Sequence, residues 1–160
     1  MSFIGILTNK KSEPEFESLI TCKPKNNIIM INHSNIENVR NIKFDTVLLD
    51  KKVSRDKGLT KKIVENAKKL VINADISIDE DIITNIKAPI ITYGFNQKST
   101  ITASSIENND ALICVQRNIK DVNNNVVEPQ EIKISKLDKS KNAYVLMGAE
   151  TINIIYGNNK

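Results

Sequence analysis

Five short apolar runs, separated at regular intervals by helical segments, constrain the fold of this chain more than any other feature of its sequence. The runs occupy residues 2–8, 28–32, 44–49, 70–73 and Ile90–Tyr93. Apolar spacing, capping residues or acidic first turns predict helices between them, over residues 13–21, 35–41, 59–67 and 79–86. Apolar strands that alternate with helices indicate a parallel sheet, because the connecting helices cover both of its faces.

The pattern changes after residue 97, where β-branched side chains and asparagine-rich turns predict antiparallel strands. These segments are residues 100–106, 111–118 and 126–137. The three asparagines at 123–125 predict a hairpin, since asparagine tolerates left-handed backbone angles. Pro129 predicts an edge strand or a bulge. Residues 143–156 are expected to add one or two strands, with a bend at Gly148.

The fold class predicted from these patterns is α/β. A mainly parallel, Rossmann-like sheet flanked by helices (residues 1–97) is followed by a small antiparallel β-meander (residues 98–156). A chain of 160 residues is long enough to bury one core, so we expect a single domain over 1–160. Only 4% of the residues are aromatic, and the core should therefore be built of Ile, Leu and Val.

Composition argues against several classes of function. The net charge is +4, but the lysines are spread among acids and few aromatic residues accompany them, so we expect no nucleic-acid partner. No apolar run reaches membrane-spanning length and the first residues do not resemble a signal sequence, so we expect a cytoplasmic protein without membrane insertion. Cys22 and Cys114 have no metal-ligand spacing and are expected to be small buried residues without a disulfide.

Residues 68–105 contain two motifs that belong together. Asn-Ala-Asp at 73–75 ends one apolar run, and Thr-Tyr-Gly-Phe at 92–95 ends the next. This stretch resembles the latter part of the central, ATP-binding domain of the Mur ligases, which add amino acids to UDP-N-acetylmuramate. In that family an N-x-D-D turn precedes a strand ending in T-Y-G-F, and antiparallel strands follow. The resemblance marks four motif or ligand positions: Asn73, Asp75, Tyr93 and Gly94.

The phosphate chemistry of that family is missing from this sequence. A Walker A loop has the pattern G-x-x-x-x-G-K-[ST], and none of the five glycines lies in one. The segment from Gly5 to Lys10 lacks the second glycine, and Ile76 stands where the second carboxylate of the family's turn is expected. The two flanking domains of the ligases are also missing. We therefore expect no cofactor and no catalytic residue, with Asp75 as a helix cap and Gly94 as an architectural bend.

Three further candidate positions follow the ends of predicted strands, where ligands of parallel sheets bind. They are Asn9, His33 and Asp50. His33 is the only histidine, so neither a multi-histidine metal site nor a Ser-His-Asp triad can form without it; a loop histidine is the favoured interpretation. The acids at 75 and 79–81 could hold a hard cation, but they lack the spacing of a calcium loop and are better explained as a solvated helix start. No metal site is predicted.

Three functional hypotheses remain open. The preferred one is a non-catalytic, Mur ligase-like binding or regulatory protein with a protein or small-molecule partner and a link to the bacterial cell envelope. The second is a subunit or remnant of a nucleotide-dependent ligase with a site near Asn9, His33 and Asp50. The third is a structural module that forms a homo-oligomer through an edge of the meander. The first is preferred because the missing phosphate loop outweighs similarity of fold.

Overall fold

The structure is a computed structural model that describes residues 2–22, 27–107, 109–135 and 142–157. The strands found there are β1 Ile4–Leu7, β2 Ile28–Ile31, β3 Thr46–Leu49, β4 Lys69–Asn73, β5 Ile90–Tyr93, β6 Ile101–Glu107, β7 Asp110–Val115, β8 Ile119–Lys120, β9 Val126–Val127 and β10 Gln130–Ile134. The helices are α1 Glu13–Leu19, α2 Ile36–Val39, α3 Lys57–Glu65, α4 Glu80–Ile83 and α5 Ala143–Ile155.

Eight of these strands form one mixed sheet in the order β10-β7-β6-β5-β4-β3-β1-β2. Strands β1 to β6 pair in parallel, and β7 and β10 are added antiparallel beyond β6. Because β2 lies on one side of β1 and β3 on the other, the direction of winding reverses at β1. This reversal defines a topological switch point between β1 and β3. Strands β8 and β9 form a separate two-stranded antiparallel sheet.

The sheet has a hydrophobic core on each face, as its apolar runs predict. One core joins the sheet to α1 and α5, with Phe16 and Ile152 fully buried. The other joins it to α2, α3 and α4, with Phe44 and Ile63 almost fully buried. The α/β class and the mostly parallel sheet flanked by helices are therefore confirmed.

Several local predictions are also confirmed. All five predicted parallel strands are present, and the four predicted helices lie between them with bounds that differ by a few residues. Asn124 has a φ of 64° in the turn between β8 and β9, the left-handed conformation expected of the asparagine run. Cys22 is buried as predicted, whereas Cys114 is only half-buried. The single strand predicted over 126–137 is wrong, because Pro129 separates β9 from β10 and the two strands belong to different sheets; Pro129 therefore marks a break and not an edge or bulge within one strand.

The prediction of strands over 143–156 is wrong, because this segment is the helix α5. Ten of its thirteen residues are buried, so the segment is apolar on all sides and shows no helical period in the sequence. Gly148 does not bend a strand; it lets α5 approach the sheet, since a Cβ there would lie 3.1 Å from the Tyr93 hydroxyl and 3.3 Å from the Phe16 ring. The Asn142 side chain caps the helix by accepting from the Tyr144 N–H at 2.8 Å.

The predicted division at residue 97 also needs correction. β6 pairs in parallel with β5, so the parallel part of the sheet extends beyond that point. β7 and β10 pair antiparallel, as predicted for the meander, and they continue the same sheet. The start of α2 differs as well: the helix begins at Ile36, one residue later than predicted, and Asn35 is its N-cap residue.

Candidate functional site

All seven candidate residues lie along the side of the sheet where the parallel strands end, which we call the carboxyl edge. Asn9, His33 and Asp50 follow β1, β2 and β3, whereas Asn73 and Tyr93 are the last residues of β4 and β5. Asp75 and Gly94 lie one or two residues beyond those ends. The structure brings five of them into two hydrogen-bonded groups, and it leaves Asn9 and His33 outside both.

The first group is centred on Asp50, which is fully buried at the switch point. Its two carboxylate oxygens accept from the Thr8 hydroxyl at 2.8 Å and from the Tyr93 hydroxyl at 2.8 Å. The Asn73 side-chain amide donates to the Asp50 carbonyl oxygen at 3.3 Å. Burial, and then the adjacent Asp50 carboxylate, raise the pKa of Tyr93 well above its ordinary value, so its hydroxyl keeps its proton and remains a donor. The group satisfies its own polar atoms inside the fold.

The second group is centred on Asp75, and it changes the role predicted for this residue. The Asp75 carboxylate accepts from the backbone N–H groups of Phe95 at 2.7 Å and Asn96 at 3.3 Å, and from the Tyr144 hydroxyl at 3.0 Å. Helix α4 begins only at Glu80, after an N-cap at Asp79. The predicted helix cap is therefore wrong: Asp75 ties the end of β4 to the turn after β5 and to α5.

Gly94 makes this second group possible. Its φ is 145°, a backbone conformation that side chains with a Cβ rarely adopt, and a Cβ there would lie 2.8 Å from an Asp75 carboxylate oxygen. The predicted architectural role of Gly94 is confirmed by both observations. Asn73 supports the arrangement from the other side, because its side-chain oxygen accepts from the Asp75 N–H at 3.0 Å.

Asn9 and His33 are both exposed. Asn9 holds the turn before α1, where its side-chain oxygen accepts from the Ser12 N–H at 3.0 Å. The His33 ring lies 3.5 Å from the Ser34 hydroxyl. Within the described ranges, no hydrogen bond joins either residue to the other five candidates.

Asp79, the first of the acids at 79–81, lies near two lysines. The Asp79 carboxylate accepts from Lys52 at 3.3 Å and lies 3.5 Å from the Lys57 ammonium. The hydrogen bond from Lys52, followed by the attraction of both lysines, lowers the pKa of Asp79 although its slight desolvation opposes this. Among the residues described, no group of three or more His, Cys, Asp or Glu side chains could hold a metal ion.

Two residues at this edge, Thr8 and Tyr144, were missed by sequence reasoning. Thr8 completes the buried Asp50 group, and its position directly after an apolar run was a usable signal. Phe95 and Tyr144 form an edge-to-face pair with centroids 5.4 Å apart and rings inclined by 77°. No local signal could have identified Tyr144, since it reaches this edge only because residues 143–155 form a helix across the sheet.

No protein-family model matches this chain, and no curated protein matches it in sequence.

The structure also bears on membrane insertion. In the part of the chain that it describes, none of the helices combines the length and the apolar character needed to cross a bilayer.

Proposed function

We propose that this chain is a non-catalytic, Mur ligase-like binding or regulatory domain. It works in the cytoplasm with a protein or small-molecule partner and is linked to the bacterial cell envelope. The proposal rests on three observations: the order of elements that the ligase domain shares with this chain, the two motifs at 73–75 and 92–95, and the side chains that fill the crevice at the switch point. Asp75 supports the motif argument, because it joins the first motif to the second through the Phe95 N–H.

The observation that carries the non-catalytic part is the closure of the switch-point crevice by the protein's own side chains. In doubly wound sheets, ligands bind outside the carboxyl ends of the strands at this point. Here the Thr8 and Tyr93 hydroxyls both donate to a fully buried Asp50. A phosphate-binding loop at this place would present free N–H groups and a lysine to the ligand, whereas these side chains are engaged with one another.

The loop after β1 supports the same conclusion. The Ser12 N–H, which would face a phosphate in a phosphate-binding loop, donates instead to the side-chain oxygen of Asn9 at 3.0 Å and lies 3.1 Å from its carbonyl oxygen. The Lys51 ammonium approaches the Ser12 hydroxyl at 3.5 Å and links this loop to the one after β3. The region that would cradle phosphates is therefore held by internal contacts.

Isothermal titration calorimetry with Mg-ATP and Mg-ADP tests this part of the proposal. We expect no dissociation constant tighter than about 1 mM, because few specific contacts are available. The matched variant is Lys10→Ala. A micromolar constant in the wild type that Lys10→Ala weakens would overturn the proposal and support the ligase remnant.

One observation favours oligomerisation, but through β2, the edge of the sheet opposite the meander to which the hypothesis assigned it. Strand β2 is an edge of the large sheet and its four residues are Ile28, Ile29, Met30 and Ile31, whereas the opposite edge strand β10 contains Glu131 and Lys133. Charged side chains discourage edge-to-edge pairing, and apolar ones do not. Light scattering during size-exclusion chromatography tests it: a dimer in the wild type that Ile29→Lys converts to a monomer would support pairing through β2.

A further inference from the structure

A cavity lies at the amino edge of the sheet, the side where the parallel strands begin, opposite the seven candidates. It has a volume of about 660 Å³ and opens between the first residues of β3 to β5, the β8–β9 hairpin and the end of α5. Its lining comprises Ser2, Asp45, Thr46, Lys68, Lys69, Pro89, Asp121, Val122, Asn123, Asn124 and Tyr156. A volume of this size is typical of sites for small ligands.

Hydrogen bonds between different elements hold the walls of this cavity in place. The Thr46 hydroxyl lies 2.7 Å from the Tyr156 hydroxyl and joins the sheet to the end of α5. The Val122 N–H donates to the Ile155 carbonyl at 3.0 Å and joins the hairpin to the same helix. The Lys69 ammonium donates to the Lys120 carbonyl at 2.6 Å and joins the hairpin to β4. A cavity with such walls is preorganised, which lowers the entropic cost of binding.

One side of the cavity carries a negative charge that a ligand can reach. The Asp45 carboxylate accepts from the Phe3 N–H at 3.2 Å and pairs with the Lys68 ammonium at 3.2 Å. The Lys68 side chain is 82% exposed, so water screens this ion pair. A ligand ammonium group can therefore replace Lys68 beside Asp45 at little cost. Although burial acts to raise the pKa of Asp45, hydrogen bonds from Ser2 and Lys68 keep it below its ordinary value. Asp45 is therefore ionised at neutral pH.

Another side carries a positive charge without a carboxylate partner. The half-buried Lys69 ammonium donates to main-chain carbonyl oxygens, and no ion pair of Lys69 is found among the described residues. Burial lowers its pKa, and the nearby Asp121 only partly compensates. An ammonium group has three donors, so a ligand anion placed here would gain a charge-assisted hydrogen bond.

We propose that this cavity binds a small zwitterion, whose anionic group meets Lys69 and whose ammonium group meets Asp45. The lining contains two carboxylates, Asp45 and Asp121, and two ammonium groups, Lys68 and Lys69. A simple anion could pair with the ammonium groups but would leave the carboxylates unmatched, and a simple cation would do the reverse. A molecule that carries both charges complements both sides. The proposal names a class of ligand for the binding function proposed above, and it rests on that binding function.

The test is NMR titration of the ¹⁵N-labelled full chain with zwitterions of increasing charge separation: glycine, β-alanine, γ-aminobutyrate and glycylglycine. We expect at least one of them to shift the amide resonances of Thr46, Lys69 and Val122 in a saturable way. The N-acetylated and the amidated forms of that ligand should each bind at least about tenfold more weakly, a loss of about 1.4 kcal/mol. No saturable shift up to about 10 mM, the weak limit of specific binding, or equal binding of the blocked forms would overturn the proposal.

Variants identify the site and separate this proposal from the functional one. Lys69→Gln and Asp45→Asn should each abolish the shifts while the rest of the spectrum stays folded. The matched controls are Lys133→Gln and Asp110→Asn, which change an exposed ion pair on β10 and β7 and should bind normally. Saturable shifts confined to the loops around Asn9 and His33 would overturn the zwitterion site but keep a binding function. Micromolar Mg-ATP binding would overturn the non-catalytic role and leave the zwitterion titration to be judged by its own result.

Discussion

Polar side chains are buried and hydrogen-bonded to one another at one end of the parallel strands, whereas they border an open cavity at the other end. At the carboxyl edge, the Asp50 carboxylate is fully buried and both of its oxygens are used by side-chain hydroxyls. At the amino edge, the Lys69 ammonium is half-buried and donates to carbonyl oxygens beside a cavity of about 660 Å³. The first arrangement stabilises the fold, while the second leaves ionised groups available to a ligand.

This difference shows that topology alone does not identify an open site. Strand order directs attention to the switch point, where doubly wound sheets bind ligands. Whether that point is open depends on the side chains at the strand ends, and here Thr8, Asp50 and Tyr93 fill it. The amino edge is not a general ligand site of such sheets, but a cavity opens there and the titratable side chains of Asp45 and Lys69 line it. Titratable groups that line a cavity are candidates for ligand binding.

The strongest test of the comparison is Asp50→Ala at the carboxyl edge. The change leaves the buried hydroxyls of Thr8 and Tyr93 without their acceptor, and we expect a loss of about 3 kcal/mol in the free energy of unfolding. Urea unfolding followed by circular dichroism measures it. The control is Asp50→Asn, which keeps one acceptor oxygen and the volume and should cost less. A loss below about 1 kcal/mol for Asp50→Ala would mean that the buried group is not structural.

Gly94→Val tests the second group at the same edge. The backbone φ of 145° and the 2.8 Å approach of the Asp75 carboxylate both disfavour a side chain, so we expect a loss of about 2 kcal/mol. Gly157→Val is the control, because Gly157 also has a positive φ, 68°, but no atom lies within 4 Å of its Cβ position. Equal losses in thermal melts of the two variants would show that contact with Asp75 contributes nothing at Gly94.

Asp75→Asn is expected to have a moderate effect. As a helix cap, Asp75 could be replaced by asparagine almost silently, but here its carboxylate serves Phe95, Asn96 and Tyr144. One amide oxygen cannot replace two charged ones, so the expected loss is about 1 kcal/mol. Tyr144→Phe, which removes only one of these donors, should cost about half as much. If Asp75→Asn leaves the stability unchanged in the same melts, the Asp75 carboxylate has no role beyond the turn.

The smallest effect is expected at the amino edge, from Lys69→Met. Loss of the hydrogen bonds to carbonyl oxygens is offset by removal of a half-buried charge, so stability at neutral pH should stay within about 0.5 kcal/mol of the wild type. Because the folded-state pKa of Lys69 lies below its ordinary value of 10.5, the folded protein binds fewer protons than the unfolded chain between the two values. Stability of the wild type should therefore rise relative to Lys69→Met as the pH increases through that window. A constant difference between the two proteins across alkaline pH would contradict the burial of Lys69.

The sequence by itself determined the parallel half of this protein and the composition of one edge. Apolar runs of strand length with helical segments between them specify βαβ units, and the seven candidate residues lie at the carboxyl edge because they follow those runs. The local sequence also predicted the left-handed turn at Asn124 and the unusual backbone angle at Gly94. These features depend on residues close together in the chain, so a single sequence can reveal them.

Only the tertiary structure decided the rest, because the deciding contacts join distant residues or involve surfaces buried on all sides. Helix α5 shows no amphipathic period, since it is covered by the sheet and by α1, and so it was mistaken for strands. Asp75 acquires its role from Phe95, 20 residues away, and from Tyr144, 69 residues away. The cavity at the amino edge forms only when the hairpin and the end of α5 dock beneath β3 and β4, and no segment of the sequence encodes it alone.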